Sequence, residues 1–226
     1  MNQQQPNNSS SIIVISPHFC TPDQVNLYTA MKVKNVTQGN KLGVFDTNGN
    51  NIFKVTGNFL SLSRCMLVDA AGVPLVTLKQ KTFSLHSRWK VYRGDSKDSE
   101  DLLFSVKTST VILQYKADLD VFLASNTDED VCDFKVERNY SGKTSSYVVY
   151  RGGSVIAEMH KEMTEVLGKD TFSVTIHPNV DYAFIIALRV VLDEMEKADK
   201  GAKWGDGAGL GMEAASGALM GIISGM

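Results

Sequence analysis

Short apolar runs, several of them alternating with polar residues and each bounded by turn residues, recur from residue 12 to residue 177. Alternation with a period of two marks strands that turn one face to a core and the other to water. The clearest hairpin reads Leu42-Gly43-Val44-Phe45, then the turn Asp46-Thr47-Asn48-Gly49, then Ile52-Phe53-Lys54-Val55. Asn-Gly suits such a turn because both residues tolerate positive φ. A second unit repeats it: Met66-Leu67-Val68, Asp69-Ala70-Ala71-Gly72, Leu75-Val76-Thr77-Leu78. In both units Asp and Gly are three apart, and apolar residues fall three and six positions after the glycine. A looser echo runs through Tyr147-Val148-Val149-Tyr150, Gly152-Gly153 and Val155-Ile156-Ala157. Repeated hairpins predict an antiparallel meander.

Further strands are read at Trp89–Tyr92, Leu102–Val106, Val111–Tyr115, Leu119–Leu123, Cys132–Val136 and Phe172–Ile176. The total is about twelve, too many for one open, strongly twisted sheet. Closure into a barrel removes the exposed edges. The pattern changes after His177-Pro178. From Tyr182 to Leu192 only Arg189 is polar, so a helix there is apolar on every side over its first two turns. Asn179 or Asp181 can cap its start. The apolar run is shorter than the ~20 residues needed to cross a bilayer core, and a barrel of this size has a lumen to fill. The expected fold is therefore mainly β: a closed antiparallel β-barrel of about twelve strands enclosing a central hydrophobic C-terminal α-helix. The polar continuation from Asp193 to Lys200 is expected to reach solvent. Residues 1–11 read as a disordered N-terminus, 12–198 as one domain and 199–226 as a Gly-rich flexible tail.

Composition narrows the picture further. The chain is 43% hydrophobic, enough for a sizeable core. Its net charge of -2 sets up no global field toward nucleic acid or anionic membrane, so such an affinity requires a local patch. Cys20, Cys65 and Cys132 are odd in number, far apart and without CxxC spacing, which argues against disulfides and zinc. The run Ile12–Ile15 is too short for a signal-peptide core. These features predict an intracellular protein, and a cytoplasmic monomer is expected.

Catalytic patterns fail on inspection. Gly142-Lys143-Thr144 lacks the glycine a phosphate loop needs five residues earlier, where Glu137 stands. No GxSxG elbow occurs, and only one histidine, His18, has ligand spacing to a cysteine, Cys20, in a Pro-flanked segment with no matching second pair. No catalytic residue, metal or cofactor is predicted, and the protein reads as non-enzymatic. The acids from Asp95 to Asp101 and from Asp128 to Asp133 read as solvated loops, with a calcium site as the alternative, although DxDxDG spacing is absent. One basic run stands out: Lys79, Lys81, Arg88, Lys90 and Arg93, with no acid among them. Strand alternation puts Arg88, Lys90 and Tyr92 on one face and Trp89 and Val91 on the other. With Trp89 in the core, the cations face water. There they can bind phosphate or anionic lipid headgroups, at about 1 kcal/mol per basic residue. The plain alternative is solvated charge that guards a strand against edge pairing.

Several motifs in fixed order resemble the plant LURP-one-related family over roughly residues 12 to 198. They are Val44-Phe45-Asp46 with Asn48-Gly49, Ser84-Leu85-His86-Ser87-Arg88-Trp89 with Val91-Tyr92-Arg93-Gly94, and Asp120-Val121-Phe122-Leu123. Cys132-Asp133-Phe134 with Val136, Leu167-Gly168-Lys169-Asp170 with Phe172-Ser173-Val174, and Pro178-Asn179-Val180-Asp181-Tyr182-Ala183-Phe184 complete the set. The resemblance implies a tubby-like barrel of twelve strands around a hydrophobic helix, a fold shared with phospholipid scramblases. It also implies kinship with phosphoinositide-binding, membrane-tethered transcription regulators and a link to plant defence, hence a location in the cytoplasm, at the plasma membrane or in the nucleus. Direct nucleic-acid binding is not expected. Two other functions stand beside lipid binding: a protein-interaction scaffold with unnamed protein partners, and a scramblase-like membrane protein.

Overall fold

The computed structural model describes residues 11–30, 42–57, 64–81, 88–109, 118–141, 144–164 and 168–205. Twelve strands precede one long helix. They are β1 (Val25–Ala30), β2 (Leu42–Phe45), β3 (Asn51–Thr56), β4 (Arg64–Asp69), β5 (Pro74–Lys81) and β6 (Arg88–Arg93). The second half comprises β7 (Leu102–Thr108), β8 (Leu119–Leu123), β9 (Phe134–Ser141), β10 (Thr144–Arg151), β11 (Ser154–Thr164) and β12 (Gly168–Ile176). The helix α1 spans Tyr182–Gly205. Each strand pairs antiparallel with the next in the chain, and β1 pairs with both β2 and β12. The expected closed barrel is thus present, and an even strand number lets every pair be antiparallel.

The repeated hairpin has a chemical basis. Asp46 Oδ1 accepts from the Asn48 and Asn50 N–H groups at 2.9 and 2.8 Å, and Asp69 Oδ1 accepts from the Val73 N–H at 2.8 Å. In each turn the glycine N–H, of Gly49 or Gly72, donates to the aspartate carbonyl at 3.1 Å. Both glycines have positive φ, +83° and +91°, a conformation that a side chain would oppose. The Asn50 side-chain amide, followed by the backbone N–H groups of Asn50 and Asn48, holds the Asp46 carboxyl below the usual carboxylate range. A strand expected at Val111–Tyr115 lies outside the described residues, as do residues 1–10 and 206–226.

The chain divides into two compact units, 1–189 and 190–226, with the boundary inside α1. In the first unit, alternating strand residues such as Phe53, Trp89, Val91, Phe104, Val121, Phe134 and Val149 form the core. The opening turns of α1 lie inside the barrel, with Ala183 to Leu188 fully buried. Phe184 shows this directly: its ring packs at 5.1 Å on Phe104 of β7 and at 4.8 Å on Phe134 of β9. The one polar residue of this segment, Arg189, is only 2% exposed, and its guanidinium stacks 3.8 Å from the Phe172 ring centroid. A cation facing an aromatic π-face retains part of the stabilisation it loses on leaving water.

Asp181 is the helix cap. Its Oδ1 accepts from the Phe184 N–H at 3.0 Å, the N-cap geometry that satisfies an orphan donor of the first turn. Its Oδ2 accepts from the N–H groups of Val14, Ile15 and Ser16 at 3.2, 2.7 and 3.0 Å. One fully buried carboxylate therefore fastens the segment before β1 to the start of α1. Asn179, the other capping candidate, instead has a positive φ of 62°.

In the second unit Val190, Val191 and Leu192 are buried and the helix continues to Gly205, beyond residue 198. Asp193, expected in solvent, is 7% exposed and is not without a partner. A carboxylate stays buried only when its charge is met.

Candidate anion-binding face

Trp89 and Val91 of β6 are buried, so the alternate residues Arg88 and Lys90 project outward. The register then assembles two rows of side chains across the outer surface. Residues directly opposite in an antiparallel pair share a face, their Cβ atoms about 5 Å apart. One row runs Lys81, Arg88, Lys107, Asp120, Lys135 across β5 to β9. Its neighbour runs Arg64, Lys79, Lys90, Ser105, Phe122 across β4 to β8. Seven cations and one acid occupy these ten positions, so the strands themselves present a positive face, which acids from the loops and from β9 partly neutralise.

Four of the five residues marked by the sequence, Lys79, Lys81, Arg88 and Lys90, meet here. Arg93 does not. It lies on the Trp89 and Val91 side of β6, and its Nη1 donates to the Ile15 carbonyl at 2.9 Å, beside the segment held by Asp181. Tyr92, on the outward side with Arg88 and Lys90, is nonetheless buried, which raises its phenol pKa. Arg64, Lys107 and Lys135 join the face without having been marked. The strand from Leu102 carried the needed signal, because the period that turns Phe104 and Val106 inward turns Ser105 and Lys107 outward.

An acidic loop folds onto this surface. Between β8 and β9, Glu129 pairs with both Arg88 and Lys107, and its Oε1 accepts from Ser105 Oγ at 3.2 Å. Arg64 pairs with Asp95, and Lys135 Nζ is 3.0 Å from Glu137, a contact that heads the causes raising its pKa. Lys79, Lys81 and Lys90 have no carboxylate within ion-pair reach among the described residues. Where the loop meets the row there is a cleft of about 720 Å³, lined by Lys81, Arg88, Lys107, Phe122, Val131 and Cys132 among others. Lys107 Nζ lies 4.7 Å from the Phe122 ring centroid, and Val131 stands 78% exposed at the rim. Burial, and then the Asp120 charge, push the Cys132 thiol up. It stays protonated at neutral pH and is a poor nucleophile. Among the described residues no group of three or more His, Cys, Asp or Glu side chains is placed to hold a metal. The arrangement can bind oxyanions through converging charged donors.

A family model described as LURP-one-related matches residues 25–193. LURP-one-related 15 from Arabidopsis thaliana is 44% identical over 196 residues, covering 84% of this chain and 88% of that protein. LURP-one-related 10, from the same plant, is 44% identical over 192 residues, covering 82% of this chain and 97% of its own. An X-ray structure of an Arabidopsis thaliana protein superposes with a TM-score of 0.62 at 36% identity. It covers 81% of this chain and 98% of that one.

Proposed function

This chain belongs to the LURP-one-related family, and we propose that it is a non-enzymatic module that binds anionic lipid headgroups, phosphoinositides foremost, on the outer face of β4 to β8. One observation carries the reading. Four cation pairs stand directly opposite each other across neighbouring strands: Arg64 and Lys79, Lys79 and Lys90, Lys81 and Arg88, Arg88 and Lys107. Like charges in directly opposed positions destabilise a sheet. Glu129 offsets the Arg88 and Lys107 pair and Asp95 meets Arg64, but Lys79, Lys81 and Lys90 have no carboxylate in reach among the described residues, so their repulsion is left for an anionic partner to offset. Solvated charge guarding an edge is a weaker account, because these strands lie within a closed barrel and have no free edge. The tubby-like resemblance and its phosphoinositide-binding kin support the same reading, with the plasma membrane as the proposed site of action and defence as the proposed setting. A bilayer-spanning, scramblase-like role has less behind it, since no helix among the described residues is long and apolar enough to cross a membrane.

The test is co-sedimentation with phosphatidylcholine vesicles carrying a phosphatidylinositol bisphosphate. Lys79→Glu combined with Lys90→Glu touches neither Glu129 nor the core. It should weaken binding about a hundredfold, on about 1 kcal/mol per lost cation plus the repulsion of each new acid. Wild-type binding should also fall as salt rises. Equal binding by the double variant and the wild type would remove this face from the function.

A further inference from the structure

The Glu129 carboxylate occupies a place that suits a phosphate. Its Oε2 meets Arg88 Nη2 and Lys107 Nζ, and its Oε1 meets Ser105 Oγ. The three donors come from the adjacent strands β6 and β7, whose register sets Arg88 opposite Lys107 and Lys90 opposite Ser105. A guanidinium, an ammonium and a hydroxyl grouped around two oxygens form a donor set for a phosphate monoester. The carboxylate reaches them from a loop in an unfavourable backbone conformation. Glu129 has a φ of 55°, uncommon for a residue with a Cβ. The loop is braced from within: Asn126 Oδ1 accepts the Glu129 N–H at 3.1 Å, while Asn126 Nδ2 donates to Asp133 Oδ2 at 2.9 Å and to the Val131 carbonyl at 2.8 Å. The loop is therefore shaped to present an acid to the cations of the sheet.

We propose that Glu129 is a built-in competitor, a carboxylate seated in a phosphate site made by Arg88, Lys107 and Ser105, which a headgroup phosphate must displace. This rests on the reading of the surrounding face as an anion-binding surface and adds its selectivity. A headgroup with one negative charge gains little by replacing one carboxylate. A headgroup with several phosphates engages Lys79, Lys81 and Lys90 as well and wins the exchange. The device thus sets a charge threshold that excludes the abundant, singly charged lipids.

Binding of the full chain is measured to phosphatidylcholine vesicles bearing either phosphatidylserine or a phosphatidylinositol bisphosphate at equal total charge, and to a soluble inositol trisphosphate. Glu129→Gln keeps the side-chain shape, and Glu129→Gly accepts the positive φ, so the loop survives in at least one variant. Both variants should bind bisphosphate vesicles about tenfold more tightly than wild type, the equivalent of one charge-assisted hydrogen bond. Both should also gain phosphatidylserine binding that the wild type lacks. Adding Lys107→Gln should cancel these gains. If neither variant binds any probe more tightly than wild type, the competitor is disproved, even where Lys79→Glu with Lys90→Glu still weakens wild-type binding. If the wild type binds no vesicle at all, the membrane reading fails by itself. The trisphosphate then decides: binding by the Glu129 variants alone supports the competitor, and its absence overturns it. Trisphosphate binding without vesicle binding assigns the site to a free phosphate ligand instead of a membrane.

Discussion

Asp181 joins two stretches of chain that are distant in sequence. Burying a carboxylate costs several kcal/mol unless its charge is met. Here four N–H groups meet it, three from Val14 to Ser16 and one from Phe184. The N-terminal end of the helix dipole adds to the same effect. Asp181→Ala leaves these donors unsatisfied and should lower stability by about 3 kcal/mol. Denaturant titration reads the loss, and hydrogen exchange should show the Val14 to Ser16 amides losing protection first; an unchanged midpoint would contradict this. The capping role was legible in the sequence, because Asp before an apolar run is a helix-start signal. The clamp on residues 14–16 was not, since it depends on contacts more than 160 positions apart. The cationic face divides in the same way. Lys79, Lys81, Arg88 and Lys90 are visible as a run, whereas Arg64 and Lys135 reach the face only through strand register. Glu129 lies in a stretch of acids that looks like any solvated loop, and composition does not report which acid turns inward.

At the scale of elements, the hairpins and the helix followed from local chemistry. Asp and Gly three apart specify the turns of Asp46 and Asp69, and an all-apolar helical segment has few places to go. β1 was missed. Its Val25-Asn26-Leu27-Tyr28-Thr29-Ala30 is short and carries only Leu27, Thr29 and Ala30 as buried positions, so pairing with β12 and β2 decides its conformation. The helix supplies the sharper test. Ile186 is fully buried within the barrel, and Ile186→Asp sets an unpaired charge there at a cost of several kcal/mol, comparable to a domain's whole stability. The variant should be insoluble or unfolded by circular dichroism. A normal melting transition would show that the segment after Asp181 is not interior.

At the scale of the whole molecule, closure was inferred from strand count and from the helix that needed housing; the order of neighbours around the barrel is the order along the chain. The last pairing to become available is that of β1 with β12, the first and last strands, with Val25 opposite Ile176. The segment that fills the lumen comes later still, from Tyr182 onward. On a ribosome, where the N-terminal part emerges first, the staves are thus complete before the material they surround has been synthesised. The nascent chain holds its apolar inner surface unfilled until the helix has followed the strands, and contacts so remote in sequence form slowly. A chain terminated after Ile176 should give no cooperative heat-absorption peak in calorimetry and should bind a hydrophobic dye; a sharp peak would mean that the staves stand alone. Emergence of the helix is therefore the event that permits the barrel to fold, and chaperone dependence should be concentrated in the interval before it.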